Sequence, residues 1–417
     1  MANDRTTITN PGLGQRGAAL TGCRIVDLTQ FESGTSCTEA LAWLGADVIK
    51  VEAPGRGEQG RHSSTERPGL DSMYFISLNA NKRSVTLDLK TEDGKRLLRE
   101  LLKVSDVFVE NFAPGVIERL GFDYESVRAV NPRVVYGSIK GFDPDGPYGS
   151  FLAFDSIAQA MGGVLSLTGE PDGPPLKLGL SFGDTGAGLH LAIGVLGALL
   201  QRQVTGEGQM IRVSMQEAMV NFCRQNLSRI KPDGAPIPRY GNHSPLGSGP
   251  ADLFPCHPGG PNDHVFLYTS RAGSQHWERL LEVIGRTDLL GDPRFATPEL
   301  RGSHPQEIIE IVSVWTRQHT KFEVMDILGR AGVPVGAVMD SRDLLGDAHL
   351  RRNGTFVTVD HGQRGPVTIP GWPVKMSASH VPPVAAPLLG QDTEAVLTEL
   401  LGMSAADVAD LRTRRVV

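Results

Sequence analysis

The sequence is poor in cysteine and in aromatic residues, and it has no excess of positive charge. Its 417 residues include only four cysteines, which form no C-x-x-C pair and match no zinc-ligand spacing: Cys23, Cys37, Cys223 and Cys256. A formal net charge of −6 argues against a nucleic-acid binder. With 40% hydrophobic and 21% charged residues the chain is neither disordered nor fibrous. We therefore expect a globular enzyme with reduced thiols, located in the cytoplasm.

The sequence also lacks a targeting segment and a long hydrophobic run. No positively charged stretch followed by an apolar one opens the chain, so we expect no secretory signal. Residues 1–20 are predicted to be a polar tail. The longest apolar run, about 186–200, contains His190 and is shorter than a bilayer requires. We predict a buried helix there and no membrane association.

Alternating strand and helix patterns indicate an α/β fold. Buried-strand patterns occur at 23–28, 47–52, 84–89, 106–110, 133–139 and 209–215, with helical patterns between them. Strand, helix, strand at this spacing gives βαβ units and a parallel sheet. Residues 21–230 are therefore predicted to form a large doubly wound, Rossmann-like domain.

The rest of the chain is predicted to hold a second, smaller domain. Residues 231–255 are rich in Pro, Gly, Ser and Asn, and they are predicted to be a linker with a loop. A smaller α/β unit follows at 256–340. Residues 341–417 form a C-terminal segment with short strands and two terminal helices.

Two loops after predicted strands carry side chains suited to binding. The first, 30–34, precedes a helix whose free N–H groups could bind an anion, although Ser33 or Thr35 could simply cap that helix. The second follows the strand ending at Glu110. There Asn111 and Phe112 could hold and stack a flat ligand such as a purine, and Arg119 could pair with phosphate. A turn with a surface arginine is the alternative.

The third segment, 180–186, places Asp184 at the start of the long apolar helix. The positive helix end favours an ionised carboxylate there, which could act as a nucleophile at pH 7. An ordinary helix-capping carboxylate is the alternative. The histidines show no HxxxH or HExxH spacing, and no GxSxG motif occurs, so neither a metal site nor a hydrolase triad is predicted.

Several motifs, taken together and in this order, resemble the class III (CaiB/BaiF-type) CoA-transferase family. They are GCRIVDLT at 22–29, LGADVIKVE at 44–52, NKRSVTLDLK at 81–90, VENFAPG at 109–115, NPRVVYGSIKGF at 131–142, FDSIAQAMGG at 154–163, GDTGAGLHLAIG at 183–194, TGEGQ at 205–209 and APLLGQDT at 386–393. The resemblance spans nearly the whole chain after residue 20, and it is strongest to the formyl-CoA transferase branch.

The resemblance implies transfer of CoA from an acyl-CoA donor to a carboxylic acid, with a small or dicarboxylic acid as acceptor. Asp184 would be the nucleophile, forming first a mixed anhydride and then an aspartyl-CoA thioester. Backbone N–H groups at the loop and helix start would stabilise the oxyanions. A CoA thioester would be a substrate, and no permanently bound cofactor or metal is implied. The resemblance also implies a homodimer with interlocked chains.

The family's site residues transfer to this sequence motif by motif. The implied CoA contacts are Glu32, Ser33, Leu87, Asp88, Leu89, Lys90, Asn111, Phe112, Ala113, Arg119 and Lys140, with Asp155 near the site. A loop over the reacting acyl group would comprise Gly247, Ser248 and Gly249.

Three positions depart from the formyl-CoA transferase branch. Glu32 stands in place of a glutamine, and Ala53 in place of an arginine whose phosphate contact Arg56 could supply. The segment 245–249 replaces a run of four glycines. The alternative function is a 2-methylacyl-CoA racemase, which would need an acid/base pair at the α-carbon. The stretch in which that branch supplies a histidine, 141–145, contains none here.

Overall fold

The computed structural model describes residues 17–63, 66–244, 249–269 and 274–417. Within them the strands are β1 (Arg24–Asp27), β2 (Asp47–Glu52), β3 (Lys82–Thr86), β4 (Val107–Glu110), β5 (Val135–Lys140), β6 (Met210–Ser214), β7 (Ala251–Pro255), β8 (His264–Tyr268), β9 (Val335–Ala337), β10 (Phe356–His361) and β11 (Gly365–Pro370).

The helices in the same residues are α1 (Ser33–Trp43), α2 (Met73–Leu78), α3 (Glu92–Lys103), α4 (Val116–Leu120), α5 (Tyr124–Val130), α6 (Asp155–Met161), α7 (Val164–Leu167), α8 (Phe182–Thr205), α9 (Met215–Phe222), α10 (Arg224–Leu227), α11 (Gln275–Val283), α12 (Pro298–Gly302), α13 (Pro305–Thr316), α14 (Lys321–Arg330), α15 (Ser341–Gly346), α16 (Ala348–Arg352), α17 (Thr393–Leu401) and α18 (Ala405–Thr413). Short 3-10 helices cover Gln59–His62, Thr287–Leu289 and Pro293–Phe295.

The chain divides into two compact units, each built from separate stretches of sequence. The first comprises Met1–Val164, Lys177–Ile230 and Arg351–Val417, and the second comprises Leu165–Leu176 and Lys231–Leu350.

A six-stranded parallel sheet organises the first unit. Its strand order is β3-β2-β1-β4-β5-β6, so the order reverses between β1 and β4. This is a doubly wound arrangement, in which ligands bind where loops diverge beyond the carboxyl ends of the strands at the reversal. The predicted α/β class and parallel sheet are confirmed.

The core of the first unit joins the sheet to the C-terminal helices. Thr91 caps α3 by accepting a hydrogen bond from the Gly94 N–H. Leu97 and Leu101 are buried on the face of α3 that meets the same core as Val396 of α17 and Val408 of α18. Burial of this apolar surface stabilises the unit and anchors the C-terminal segment within it.

Helix α8 is the long apolar helix, but only part of it is buried. It packs against α1, α9, β5 and β6, and Leu191 and Val195 are fully buried. Ile193 and Leu200 are 69% and 65% exposed, so the helix predicted to be buried over about 186–200 is buried on one side only. By length and composition α8 is the one candidate membrane span among the described residues, a test that core helices also pass.

The second unit is built around a small antiparallel sheet of β7, β8 and β9. Its core contains Phe254, Leu267, Trp277 and Val312. The linker prediction was wrong at Ala251–Pro255, which form β7 and pair with β8.

Candidate active site

The first two predicted binding loops meet at the reversal of the sheet. Asn111 follows β4, and its Oδ1 accepts from the Gln30 N–H at 2.8 Å. Its Nδ2 donates to the Gln30 carbonyl at 2.8 Å and to the Ser33 Oγ at 3.0 Å. The Asn111 side chain therefore holds the loop after β1 against the loop after β4.

Glu58 supports the same loop from another direction. Phe31 has a left-handed backbone, with φ of 56°, which a non-glycine residue rarely adopts. The Phe31 N–H donates to Glu58 Oε2 at 3.0 Å. Its ring meets that of Phe154 edge-on, with the centroids 6.0 Å apart. These contacts fix the direction in which the next residue, Glu32, leaves the loop.

Glu32 joins this loop to the start of α8. Its Oε1 accepts from the Thr185 Oγ1 at 2.8 Å, and its carboxylate also makes side-chain hydrogen bonds with Ser181 and Tyr74. Burial raises the pKa of Glu32, and the Asp155 charge adds to that effect. All three sequence clusters are thus brought together in the first unit.

Asp155 supports the beginning of α8 from α6. Its Oδ1 accepts from the Gly183 N–H at 2.8 Å, and its Oδ2 accepts from the Gln159 Nε2 at 2.8 Å. A Cβ on Gly183 would lie 3.0 Å from that Oδ1. The close contact explains why glycine precedes Asp184.

A second glycine lets α8 approach α1. A Cβ at Gly188 would collide with the Ser33 carbonyl oxygen. The small residue therefore allows the helix that carries Asp184 to pack directly beside the helix that follows Glu32.

Asp184 is the third residue of α8 and is partly buried. Burial raises its pKa to about 7, and the charges of Glu32 and Asp155 act in the same direction. At pH 7 this carboxylate is therefore only partly ionised, so the helix end does not by itself keep it charged as expected. Desolvation and two like charges outweigh a helix-end effect of about 0.3–1 kcal/mol.

Two N–H groups at the start of α8 already have partners. The Gly183 N–H donates to Asp155, and the Thr185 N–H donates to the Ser181 carbonyl at 3.0 Å. The resemblance implies oxyanion donors among the backbone N–H groups of the loop and helix start, and these two of them are occupied in this structure.

Sequence reasoning missed Tyr74 and Glu58. Burial raises the pKa of the Tyr74 phenol, as do the charges of Glu32 and Asp184. Tyr74 lies in α2, a six-residue helix without a clear hydrophobic period. Thr185 was also missed, although its position beside Asp184 in the quoted motif was a usable signal.

The charge of Lys140 is paired beside the loop that follows β4. Its Nζ donates to Glu110 Oε2 at 2.8 Å and to the Phe112 carbonyl at 2.7 Å. Phe112 packs against the core, and Ala113 is exposed. Lys140 therefore fixes the loop, and Glu110 compensates its charge.

Arg119 is exposed on α4, and its Nη1 would lie 2.8 Å from a Cβ on Gly115. Gly115 has φ of 77°, and this left-handed backbone favours glycine there. Among the described residues Arg119 has no acidic partner.

A separate group of predicted contacts borders a cavity of about 550 Å³. Asp88 and Lys90 line it together with Arg56, Arg412 and Arg415, and Ala53 also lies in its wall. The side chains of Leu87 and Leu89 instead pack in the core. A ligand in this cavity would meet four cations and one carboxylate.

Gly247 and Ser248 of the predicted loop lie outside the described residues. Gly249 belongs to the second unit. Its carbonyl accepts from the Thr269 Oγ1 at 2.8 Å and from the Arg301 Nε at 3.0 Å.

Comparison with known proteins gives a consistent result. The family profile described as "CoA-transferase family III" matches residues 20–393. The chain is 43% identical over 412 residues to a formyl-CoA:oxalate CoA-transferase from Streptomyces avermitilis, covering 96% of this chain and 99% of that protein. It is 42% identical, with the same coverage, to a protein of the same name from Streptomyces coelicolor. The crystal structure of a CAIB/BAIF family protein from Brucella suis superposes with a TM-score of 0.81 at 31% identity, covering 91% of this chain and 98% of that one.

Proposed function

The chain belongs to CoA-transferase family III, and we propose that it moves CoA from formyl-CoA to oxalate through Asp184. It is an acyl-CoA:carboxylate CoA-transferase, so a CoA thioester is its substrate. The substrate pair is supported by relatives of that name at 42–43% identity over nearly the whole chain. The role of Asp184 rests on one observation: a partly buried carboxylate stands at the meeting of all three sequence clusters, with Glu32 and Asp155 beside it.

In the first half-reaction the Asp184 carboxylate attacks the thioester carbonyl carbon. The carbon–sulfur bond breaks, and CoA leaves as a thiolate while a mixed anhydride forms on Asp184. The thiolate then attacks the aspartyl carbonyl carbon and releases formate. An aspartyl-CoA thioester remains, and each bond made replaces one that is broken.

The second half-reaction repeats these steps with the acceptor. An oxalate oxygen attacks the aspartyl thioester, which again releases the CoA thiolate and forms an anhydride. The thiolate attacks the oxalyl carbonyl carbon, giving oxalyl-CoA and restoring the Asp184 carboxylate. No net proton is consumed in the exchange. Asp184 must be ionised to attack, and water must be excluded because it would hydrolyse the anhydride and the thioester.

The raised pKa of Asp184 suits this role. A carboxylate that retains its basicity is a stronger nucleophile once ionised than one stabilised by a cation. At a pKa of about 7 a substantial fraction is ionised at neutral pH. We expect the rate of thioester attack to rise with pH up to a plateau above about 7.

The cavity lined by Arg56, Lys90, Arg412 and Arg415 is proposed to bind the phosphates of CoA. Charge-assisted hydrogen bonds from arginine suit phosphate oxygens. Arg415→Ala should raise the KM for the acyl-CoA by about tenfold, the size of one such interaction. Arg414→Ala is the matched control, because Arg414 pairs with Asp93 and Asp410 instead. An unchanged KM in Arg415→Ala would show that the CoA phosphates do not bind in this cavity.

We also propose that the enzyme is a homodimer with interlocked chains. One face of α8 is exposed and apolar, and its residues recur at helical spacing: Leu189, Ile193, Leu200 and Val204. Such a face on a long helix indicates an interface. Light scattering after gel filtration should give twice the mass of the chain, and a monomer would contradict the proposal.

A donor-by-acceptor panel tests the substrate assignment. Formyl-, succinyl- and acetyl-CoA are each incubated with oxalate, formate or succinate, and CoA esters are read by mass spectrometry. The pair formyl-CoA and oxalate should give the highest kcat/KM. If another pair is preferred, that pair replaces formyl-CoA and oxalate in the substrate assignment, and the assignment as a CoA-transferase still holds. Deuterium uptake at the α-carbon of a 2-methylacyl-CoA, without transfer, would favour the racemase alternative.

Trapping identifies the nucleophile. Wild-type protein incubated with donor and then with hydroxylamine should carry a hydroxamate on Asp184, because hydroxylamine attacks the aspartyl thioester carbonyl. Peptide mass spectrometry locates the label. A label on Glu32 or Asp155 instead would assign the chemistry to that residue.

A further inference from the structure

A cavity of about 280 Å³ lies within the second unit. Its wall includes Arg301, Asp252 and His243, together with the apolar side chains of Phe254, Ile308 and Ile309. Of the residues discussed above as substrate contacts it shares only Gly249. The volume has room for about nine water-sized groups, which is the scale of a small organic molecule.

Arg301 is the unusual feature of this cavity. Its side chain is fully buried, and no carboxylate of the described residues lies within ion-pair distance. The Nε donates to the Gly249 carbonyl at 3.0 Å, and the Nη1 donates to the Phe295 carbonyl at 2.8 Å. Within the described part of the chain the Nη2 has no hydrogen-bond partner. A buried cation with unused donors is costly unless an anion joins it.

The neighbouring charges do not supply that anion. Asp252 contacts the His243 ring, and among the described residues no hydrogen bond or ion pair joins it to Arg301. The acids that act on the Arg301 charge are Glu299 and Glu278, and both are exposed to solvent. The guanidinium therefore lacks an internal counter-ion, although its hydrogen bonds hold it firmly in place.

The rest of the cavity wall is mostly apolar and would contact the other end of a ligand. Phe254 and Ile308 are buried apolar residues, and Ile309 packs beside them. Pro305 begins α13, whose amino end adds a weak positive potential. The wall holds one guanidinium, one carboxylate that contacts His243, and much apolar surface, so the cavity suits a monoanion with a hydrocarbon body better than a phosphate.

We propose that this cavity binds a small carboxylic acid. The carboxylate would accept hydrogen bonds from the Arg301 Nη2, and a short apolar body would lie against Phe254, Ile308 and Ile309. This site goes beyond the transfer reaction, since it needs neither Asp184 nor CoA.

The probe is 4-bromobenzoate, whose bromine can be located by anomalous scattering. Isothermal titration of the full-length protein should show binding, and soaked crystals should show bromine in this cavity. Arg301→Lys should lower the affinity at least tenfold, because lysine keeps the charge but loses the forked donors. Asp184→Asn should bind as tightly as wild type, which separates this site from the reaction centre.

A cavity-filling pair protects the test against misfolding of the Arg301 variant. Ile309→Trp should abolish binding, whereas Ile311→Trp, on the same helix but outside the cavity wall, should not. Circular dichroism confirms that both variants are folded. Bromine located elsewhere, binding seen only at soaking concentration, or full affinity in Ile309→Trp would each overturn the proposal.

Discussion

Asp27 and Asp184 are both desolvated aspartates of the first unit, yet their carboxyl groups behave in opposite ways. Burial pushes the pKa of Asp27 upward, but Lys82, Lys50 and the Thr29 and Thr38 hydroxyls together lower it to about 2. Lys82 Nζ lies 3.1 Å from Asp27 Oδ2. Around Asp184 the neighbouring charges are carboxylates, and its pKa rises to about 7.

The comparison shows that the neighbours, rather than burial, decide what a desolvated carboxylate does. Asp27 is neutralised by lysines that are themselves hydrogen-bonded, with Lys82 bound to Thr38 and Asn79. Asp27 therefore has a structural role in the sheet. Asp184 has no cationic partner among the described residues, so its charge, once formed, is available to a reacting carbon. Perturbed groups of this second kind mark functional sites.

The largest expected effect is the loss of catalytic rate in the Asp184→Asn variant. The amide keeps the shape but removes the nucleophile, so kcat should fall by at least about 10³-fold, as for other covalent catalysts. Substrate binding and the circular dichroism spectrum should persist. Initial rates with formyl-CoA and oxalate measure the loss, and activity within tenfold of wild type would end the assignment.

The same variant makes a prediction for stability. A raised folded-state pKa stabilises the fold below the unfolded value near 3.8, and this contribution is lost as pH rises through about 7. Asp184→Asn should therefore gain stability relative to wild type between pH 5 and pH 8. Urea unfolding at both pH values checks the sign, and a relative loss at pH 8 would contradict it.

Asp27→Asn should produce the opposite pattern: a lower free energy of unfolding with little change in kcat. Removing one partner leaves Lys82 and Lys50 buried without compensation, which costs about 3–5 kcal/mol. Asp145→Asn, at an exposed ion pair with Arg212, is the control and should change stability by less than about 0.5 kcal/mol. Urea titration measures both. A near-neutral Asp27→Asn would mean that the lysines find other partners.

The Asp27 contribution has its own pH window. Because its folded pKa is lowered, the stabilisation is present above about 3.8 and disappears as pH falls towards 2. Wild type and Asp27→Asn should therefore converge in stability at the acid end.

Glu58 connects the two regions. Its Oε1 lies 3.8 Å from Lys50 Nζ, while its Oε2 holds the left-handed Phe31. Glu58→Ala should release the loop that carries Glu32 and lower kcat by about tenfold to hundredfold, the effect of a small misplacement. Glu58→Gln should recover part of the rate, because its amide oxygen can still accept from the Phe31 N–H. Equal loss in both variants would indicate that charge, not loop position, matters.

Much of the fold follows from the sequence. The bounds of β2 agree with the predicted 47–52, because that strand carries a nearly continuous buried pattern. Helix α2 and strand β7 were missed. The first is apolar in most positions and has no period, and the second lies in a segment rich in Pro and Gly, where strand patterns are weak.

The site was only partly predictable. Its loops could be found because they follow buried strands. The pKa of Asp184 could not, since it depends on burial and on contacts between residues far apart in the chain. Thr185 and Glu32, whose hydrogen bond joins the two halves of the site, are separated by 153 positions. Only the folded chain brings such charges together.

The smallest effect, and the sharpest test of the comparison, is expected from Glu32→Gln. Glutamine keeps an oxygen that can accept from the Thr185 hydroxyl, so the loop should stay in place. It removes one of the two carboxylates that raise the pKa of Asp184. The rising limb of the pH–rate profile should therefore move to lower pH, with the plateau rate within a few-fold of wild type. Thr185→Val is the companion variant, because it breaks the hydrogen bond but leaves the Glu32 charge. It should move the limb less than Glu32→Gln does, and any shift is to lower pH, because losing that donor raises the pKa of Glu32 and leaves less charge to oppose the ionisation of Asp184. If Glu32→Gln leaves the limb unmoved, the Glu32 charge does not set the basicity of Asp184, and the lysines beside Asp27 would account for the difference between the two aspartates.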